Sequence, residues 1–251
     1  MNHQEIQVLK IFVVMLLTLF STAYAGDYIA SPPMEQVDAR SSSLEKEIRN
    51  AAVRVSVPLT GGHGSGSYIK YKDVHIVITA QHVTDGPLGT TYLVSHKEES
   101  HIGTLVYSDE QDDTAILYVG NPFKTIEPMK YDPVEDVADV GTEIFYSGYP
   151  SHHKLMSFTG RVAGHETVPG PRVGKHIILQ TYGWFGCSGS VIYNLKGQQV
   201  GVLYGVDVEY YPDIQVQENM IWVVPMKEIK IDKALGAFCR GYQGKAPKAC
   251  K

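Results

Sequence analysis

Three short segments of the chain carry side chains that could do nucleophilic chemistry together. Thr79-Ala80-Gln81-His82-Val83 follows the apolar run Val74 to Ile78, so His82 stands at a strand end with a turn beyond it. Asp112-Asp113-Thr114 opens a second apolar run, Ala115 to Val119, and sets a carboxylate at its mouth. Gly183-Trp184-Phe185-Gly186-Cys187-Ser188-Gly189-Ser190 is a tight, glycine-flanked loop leading into Val191-Ile192-Tyr193. A serine hydroxyl attacks a carbonyl at neutral pH only when an adjacent imidazole takes its proton. The imidazole in turn needs a carboxylate on its other nitrogen, which fixes the tautomer and stabilises the imidazolium. A glycine ahead of the serine lets backbone N–H groups face the developing oxyanion, here those of Gly186 and Ser188. Singly, each residue fits a plainer role: a surface histidine, a turn aspartate, a serine in a flexible loop. Their joint context carries the chemical reading. Asp109 and Asp112 compete for the part of the acid, but Asp113 has the register directly before Ala115-Ile116-Leu117.

The elements around these segments are short strands. Val53 to Val57, Gly66 to Tyr71, Val74 to Ile78, Thr91 to Val94, Thr104 to Tyr107 and Ala115 to Val119 alternate or run apolar between Gly, Pro, Asp and Asn. After a proline-containing link at Asn121 to Pro133 the texture resumes with Glu143 to Ser147, Lys175 to Thr181, Ser190 to Tyr193, Val200 to Tyr204 and Met220 to Val224. Ser41-Ser42-Ser43 before Leu44 to Ile48 reads as a capped short helix, and the one longer amphipathic stretch is Met226 to Phe238. A dozen short strands with turn signals between them predict an all-β sandwich or a pair of barrels.

The order His82, Asp113, Ser188 and the stretches around them resemble the chymotrypsin-fold serine proteases, and most nearly the protease domain of the bacterial HtrA/Deg type. The similar stretches are Gly64-Ser65-Gly66-Ser67, Thr79 to Val83, Asp113 to Leu117, Gly141 to Pro150, Leu179 to Thr181 with Gly186 to Gly189, Gly197 to Val202, and Ile221 to Pro225. Together they cover about Ala51 to Leu235, with base and acid 113 − 82 = 31 positions apart, a compact spacing usual in bacterial members. The resemblance implies two six-stranded antiparallel β-barrels with a short C-terminal helix, in halves of about 51–130 and 140–235. It implies His82 as base then acid, Asp113 as its orienter, Ser188 as nucleophile, and Gly186 with Ser188 as the oxyanion hole. Two departures stand out: Ser190 and Val191 where the family usually has Gly and Pro, and Cys187 where Asn or Asp is commoner.

By the fold's analogy the specificity pocket has its floor at Tyr182, six residues before Ser188, and a wall along Val202 to Gly205 that includes Tyr204. No Asp lies at the floor to pair a Lys or Arg, and no His stands near Val202 in the sequence to take a Glu. A neutral residue before the scissile bond, small or apolar, is the expectation. The chain lacks an Arg-Ile-Val-Gly-Gly processing junction at Gly26 or Ala51, so no inserted N-terminal ion-pair partner is expected. The 16 residues after Leu235 are too few for a PDZ domain, and nothing in the sequence indicates an oligomeric state.

Composition bounds the rest. The chain has 251 residues, 43% apolar and 20% charged, with net charge −5, 24 Gly and 13 Pro. That suits packed globular cores and excludes disordered, collagenous or coiled-coil classes. No basic stripe exists to neutralise phosphates, so a nucleic-acid partner is not expected; the partner is a protein or peptide substrate. His63, His75, His101, His152, His153, His165 and His176 show no metal-ligand spacing with Cys or Glu, and no metal or cofactor is expected. Residues 1–25 read as an export signal: Lys10, the apolar run Ile11 to Phe20, and Ser21 to Ala25 ending small-x-small. The run is too short to span a bilayer, so a stable membrane anchor is not expected, and the mature chain, Gly26 onward, is placed in the periplasm or outside the cell. Residues 26–50 form a lead and 236–251 a tail bracketed by Cys239 and Cys250. Bridging those cysteines closes a loop worth about 3 kcal/mol in the chain-entropy picture; the alternative is two free thiols. Cys187 is expected to point away from the base. Two functions from different classes follow: an exported serine endopeptidase, or a protease-like binding or scaffold protein that has kept the fold and lost the reaction. An α/β-hydrolase esterase fails on strand-helix alternation and on residue order.

Overall fold

The computed structural model describes residues 42–57, 61–167, 174–210, 212–241 and 250. The export signal at 1–25 and the lead up to residue 41 lie outside the described residues. The first strands are β1 (Ala52–Ser56), β2 (His63–Tyr71), β3 (Val74–Ala80), β4 (Thr91–His96), β5 (Glu99–Asp109), β6 (Thr114–Val119) and the two-residue β7 (Met129–Lys130). They run in the order β1-β4-β5-β6-β3-β2, and β2 returns to pair with β1, which closes the barrel; β7 adds parallel to β2. The second set is β8 (Glu143–Gly148), β9 (Met156–Thr167), β10 (Lys175–Gln180), β11 (Val191–Asn194), β12 (Gln199–Glu209) and β13 (Gln215–Pro225). It closes in the order β10-β13-β12-β11-β8-β9. The expected pair of six-stranded antiparallel barrels is the fold of the chain.

Strand alternation sorts side chains into three cores. Val53, Val55, Tyr68, Val77, Leu105 and Leu117 fill the first barrel. Ile144, Tyr146, Leu179, Ile192, Leu203 and Val223 fill the second. The outward residues of β2, β3 and β6, among them Ile69, Ile76, Ile78 and Ile116, meet Val191, Tyr193 and Val202 of the second barrel in a third core. This explains why Val74 to Ile78 and Ala115 to Val119 read as continuous apolar runs: both of their faces are buried. Each fully buried aliphatic of this seam contributes about 1.5–3 kcal/mol relative to exposure.

Helix α1 (Ser43–Ala51) begins with the expected cap. Ser42 Oγ accepts the Glu45 N–H at 3.2 Å, and the Glu45 carboxylate accepts the Ser42 N–H at 2.6 Å. Its Ile48 enters the seam, and its Arg49 reaches across to the Ser157 hydroxyl at 2.8 Å and the Leu155 carbonyl at 3.0 Å. The C-terminal stretch departs from expectation. Met226–Glu228 is a single 3-10 turn, and helix α2 runs Ile231–Gly241. Met226, Ile229 and Ile231 all enter the seam, and residues two apart point to opposite sides of a helix, so a continuous helix could not bury both Ile229 and Ile231 there. The chain extends at Ile229 instead (φ −82°, ψ 110°). Strand β9 is a second departure, since its twelve residues show one fully buried position, Val162, and a sparse inward face that Phe158 and Val162 share across Gly160. At the end of α2, Cys239 and Cys250 are joined by a disulfide with Cα atoms 5.2 Å apart. Among the described residues no helix is long and apolar enough to cross a membrane.

His96, the last residue of β4, is buried at 1% exposure. Its Nδ1 donates to the Ala52 carbonyl at 2.7 Å, which leaves Nε2 as a buried lone pair with no partner. Burial depresses its pKa below 6.5, Lys97 and Arg49 add to the effect, and the Ala52 bond and Glu99 oppose it. A folded-state pKa below the unfolded one means the unfolded chain binds more protons in the window between them. The stabilisation is present above about pH 6.5 and is lost as the pH falls. Urea unfolding midpoints should therefore drop between pH 7.5 and 5.5, and His96→Gln should flatten part of that drop; an unchanged pH slope in the variant would show that His96 is not its source.

Candidate active site

The register of β3 on β6 builds the first half of the site. Ala80 pairs with Thr114, so the residues just beyond Ala80 meet the residue just before Thr114. The chain turns there through the 3-10 turn Gln81–Val83, pinned by the Gln81 N–H to the Asp113 carbonyl at 3.1 Å. Asp113 adopts a left-handed backbone (φ 47°), a conformation that Asp tolerates better than most residues. Its carboxylate is 1% exposed and accepts from the His82 backbone N–H at 2.9 Å and from His82 Nδ1, with Oδ2 at 2.8 Å and Oδ1 at 3.1 Å. A carboxylate oxygen only accepts, so Nδ1 carries the proton and Nε2 presents a lone pair. The imidazole is 44% exposed. Of the rival carboxylates, Asp109 is engaged elsewhere: it accepts from the Tyr107 hydroxyl at 3.0 Å and from the Gln111 and Asp112 N–H groups at 2.9 and 3.2 Å. Burial pushes the Asp112 carboxyl up, and the charges of Asp109 and Glu228 add to the rise.

The loop before β11 supplies the second half. Ser188 is half-buried, its carbonyl accepting the Ser65 N–H at 2.8 Å. Gly189 has φ 91°, and a Cβ there would collide with the Ser65 carbonyl and the Thr79 hydroxyl and lie 2.8 Å from Ala80 N. A Cβ on Gly64 would lie 2.9 Å from the Ser188 carbonyl and overlap Val83. The Ser188–Gly189 backbone is thus clasped by β2 and by the end of β3, the strand that leads to His82. Gly186 also has a left-handed backbone (φ 92°), and a Cβ there would run into the Tyr149 carbonyl, His63 Nε2 at 2.9 Å and Ser151 N at 3.0 Å. Both positions admit only glycine.

Cys187 is fully buried in the second barrel beside Tyr146, its thiol unpaired in any disulfide and pushed up by burial. It points into the barrel core while the neighbouring Ser188 stays half-buried at the surface. Of the two expected pocket residues, Tyr182 is 39% exposed and stacks on Phe158 (5.3 Å), while its carbonyl accepts from the Tyr146 hydroxyl. Tyr204 is 8% exposed, with its ring edge-on to His176 at 5.3 Å. The sequence has no histidine near Val202, yet the fold brings one: His176 lies on the outer face of β10, between Tyr204 and Trp222. Sequence reasoning also gave no role to His63 and Ser65, which the structure sets against Gly186. Among the described residues no three His, Cys, Asp or Glu side chains are grouped to hold a metal ion.

The Trypsin-like peptidase domain family matches residues 64–202, more than half of the chain. No curated protein sequence matches the chain. Solved structures do. The active form of the Rv3671c protease from M. tuberculosis is 21% identical, with 88% of this chain and 93% of that chain covered at a TM-score of 0.62. The serine endoprotease from Yersinia pestis is 17% identical over 79% of this chain and 66% of that one, at a TM-score of 0.58. The HtrA-type protease AlgW with a tripeptide is 16% identical over 74% and 59%, at 0.60. These likenesses extend across both barrels, and the family match spans the segments that carry His82, Asp113 and Ser188. The chain belongs to the Trypsin-like peptidase domain family and is a serine-type endopeptidase.

Proposed function

We propose that this endopeptidase is exported and hydrolyses peptide bonds through Ser188, His82 and Asp113 by way of an acyl-enzyme, cutting after a small or apolar neutral residue. The observation that carries the reading is the buried Asp113 carboxylate on both the backbone N–H and Nδ1 of His82. Held so, His82 Nε2 takes the Ser188 proton as Oγ attacks the carbonyl, and returns it to the leaving amine. Asp113 offsets the charge on the imidazolium. Water then repeats the sequence on the ester, with His82 again the base. The Gly186 and Ser188 N–H groups face the oxyanion, each worth about 3–4 kcal/mol of transition-state stabilisation. Export is supported by residues 1–25 and accords with the Cys239–Cys250 bridge, which an oxidising compartment preserves.

The preference before the scissile bond is supported by what fills the region of Tyr182. Gly183 lies directly on the Ile221 side chain, so a Cβ there would sit 3.1 Å from Cγ1, an aliphatic contact. A fluorophosphonate probe, whose phosphorus bonds to Oγ as fluoride leaves, should label the wild-type chain on the Ser188 peptide and leave Ser188→Ala unlabelled. Folded wild-type protein that takes no label would favour the binding or scaffold function instead. A peptide library should show cleavage after Ala, Val or similar residues. Strong preference for Arg or Lys would overturn the assignment, and strong preference for Glu would point to His176.

Ser190, where the family usually has Gly, is fully buried and its hydroxyl has no hydrogen-bond partner. A buried unsatisfied hydroxyl costs about 1–3 kcal/mol. Ser190→Ala should raise the unfolding free energy by about 1 kcal/mol, with probe labelling within about threefold of wild type. A large loss of labelling would mean that this hydroxyl takes part in the site.

A further inference from the structure

The peptide unit that would supply the first oxyanion donor joins Phe185 to Gly186. In a planar trans peptide the C=O and N–H point in opposite directions, so whatever fixes the Phe185 carbonyl also aims the Gly186 N–H. The Phe185 carbonyl accepts the Ser151 N–H at 2.6 Å. Gly186 is in the left-handed region, where glycine reorients at little cost, so the unit needs holding from both sides. On the far side of the glycine, in the next peptide unit, the Gly186 carbonyl accepts the Ser65 hydroxyl at 2.7 Å, which limits rotation about Gly186. The same hydroxyl accepts the Tyr149 N–H at 2.8 Å, two residues before Ser151. His63 Nε2 lies 3.1 Å from the Tyr149 carbonyl. The 149–151 turn and the 185–186 peptide are therefore clamped together, and the residue at the centre of the clamp belongs to the other barrel.

We propose that Ser65 is a positioning residue for the oxyanion hole, its hydroxyl holding the Gly186 carbonyl and the Tyr149 N–H so that the Gly186 N–H stays aimed at the reacting carbonyl. This rests on the endopeptidase reading above. Ser65 is fully buried, and its backbone is tied to the site too: its N–H donates to the Ser188 carbonyl at 2.8 Å and its carbonyl accepts the Thr79 hydroxyl at 2.7 Å. Those backbone bonds survive any substitution that keeps the strand, so the hydroxyl alone can be tested. The space beside it is kept open by Gly148, where a Cβ would lie 3.0 Å from Ser65 Oγ. The hydroxyl makes no contact with His82 or Asp113 among its hydrogen bonds, so its loss should touch oxyanion stabilisation and leave the base alone.

Removing an oxyanion donor outright costs about 100- to 1,000-fold in rate, so losing the group that holds one should cost less, about 10- to 100-fold. The test is the second-order rate of fluorophosphonate labelling across pH for wild type, Ser65→Ala and Ser65→Cys, with thermal unfolding of each. The expected result is a 10- to 100-fold loss in Ser65→Ala, a smaller one in Ser65→Cys, whose thiol is a weak donor, and an acid limb of the pH profile in the same place for all three. If the alanine chain does not fold, the cysteine chain carries the comparison. Labelling of both variants within twofold of wild type overturns the proposal, as does a shifted acid limb, which would mean that Ser65 acts on the base. A wild-type chain that takes no label fails at the parent reading and removes both.

Discussion

The site depends on a backbone-to-backbone contact between barrels. The Ser188-Gly189 segment of the second barrel lies against Ser65, Thr79 and Ala80 of the first so closely that no side chain fits between. A contact of that kind has no slack, because peptide groups are rigid and their hydrogen bonds are directional. The apolar seam around Ile78, Ile116, Val191 and Val202 supplies the driving force that presses the barrels together, but burial is non-directional and would tolerate sliding. The Ser65 N–H on the Ser188 carbonyl (2.8 Å) converts that pressure into a fixed position, while the Gly189 N–H on the Leu203 carbonyl (2.7 Å) ties the loop to its own barrel. The β3 and β6 register sets His82 and Asp113 just beyond Ala80, the residue against which Gly189 lies.

How much of this was legible in the sequence follows from which forces leave a pattern. Burial leaves one: the runs Val74 to Ile78 and Ala115 to Val119 read as strands, and His82 and Asp113 stood at their ends. Backbone pairing leaves none. Strand β9 is held by β8 and β10 through its main chain, and Gly160 interrupts the inward face that Phe158 and Val162 share, so the apolar alternation of Met156–Thr167 is too sparse to read. The break between Met226–Glu228 and Ile231–Gly241 was hidden for a related reason, since the amphipathic pattern is compatible with a helix until the location of the seam is known. Ser65 and His63 escaped because a hydroxyl or imidazole that bonds to a distant carbonyl has no partner at a fixed spacing; Ser65 and Gly186 are 121 residues apart. His176 came to Tyr204 by strand order, which local sequence does not encode.

The loop bearing Ser188 is also held from inside its own barrel, and there the departure at Cys187 acquires a physical meaning. The Tyr146 hydroxyl binds the Tyr182 carbonyl from below, and Cys187 sits beside the same ring in the second core. An Asn or Asp in that slot would need a buried hydrogen-bond or charge partner, at a cost of several kcal/mol if left without one. A thiol fills it as a small apolar side chain. Burial pushes its pKa up, so it stays neutral and offers no counter-charge to an amino group brought to the loop. The loop is anchored by packing and by the Ser65 clamp, with no ion pair at Cys187, which accords with the missing processing junction. On this account the geometry around Ser188 is assembled when the two barrels dock, and the polar contacts that complete it come from the first barrel's own second strand.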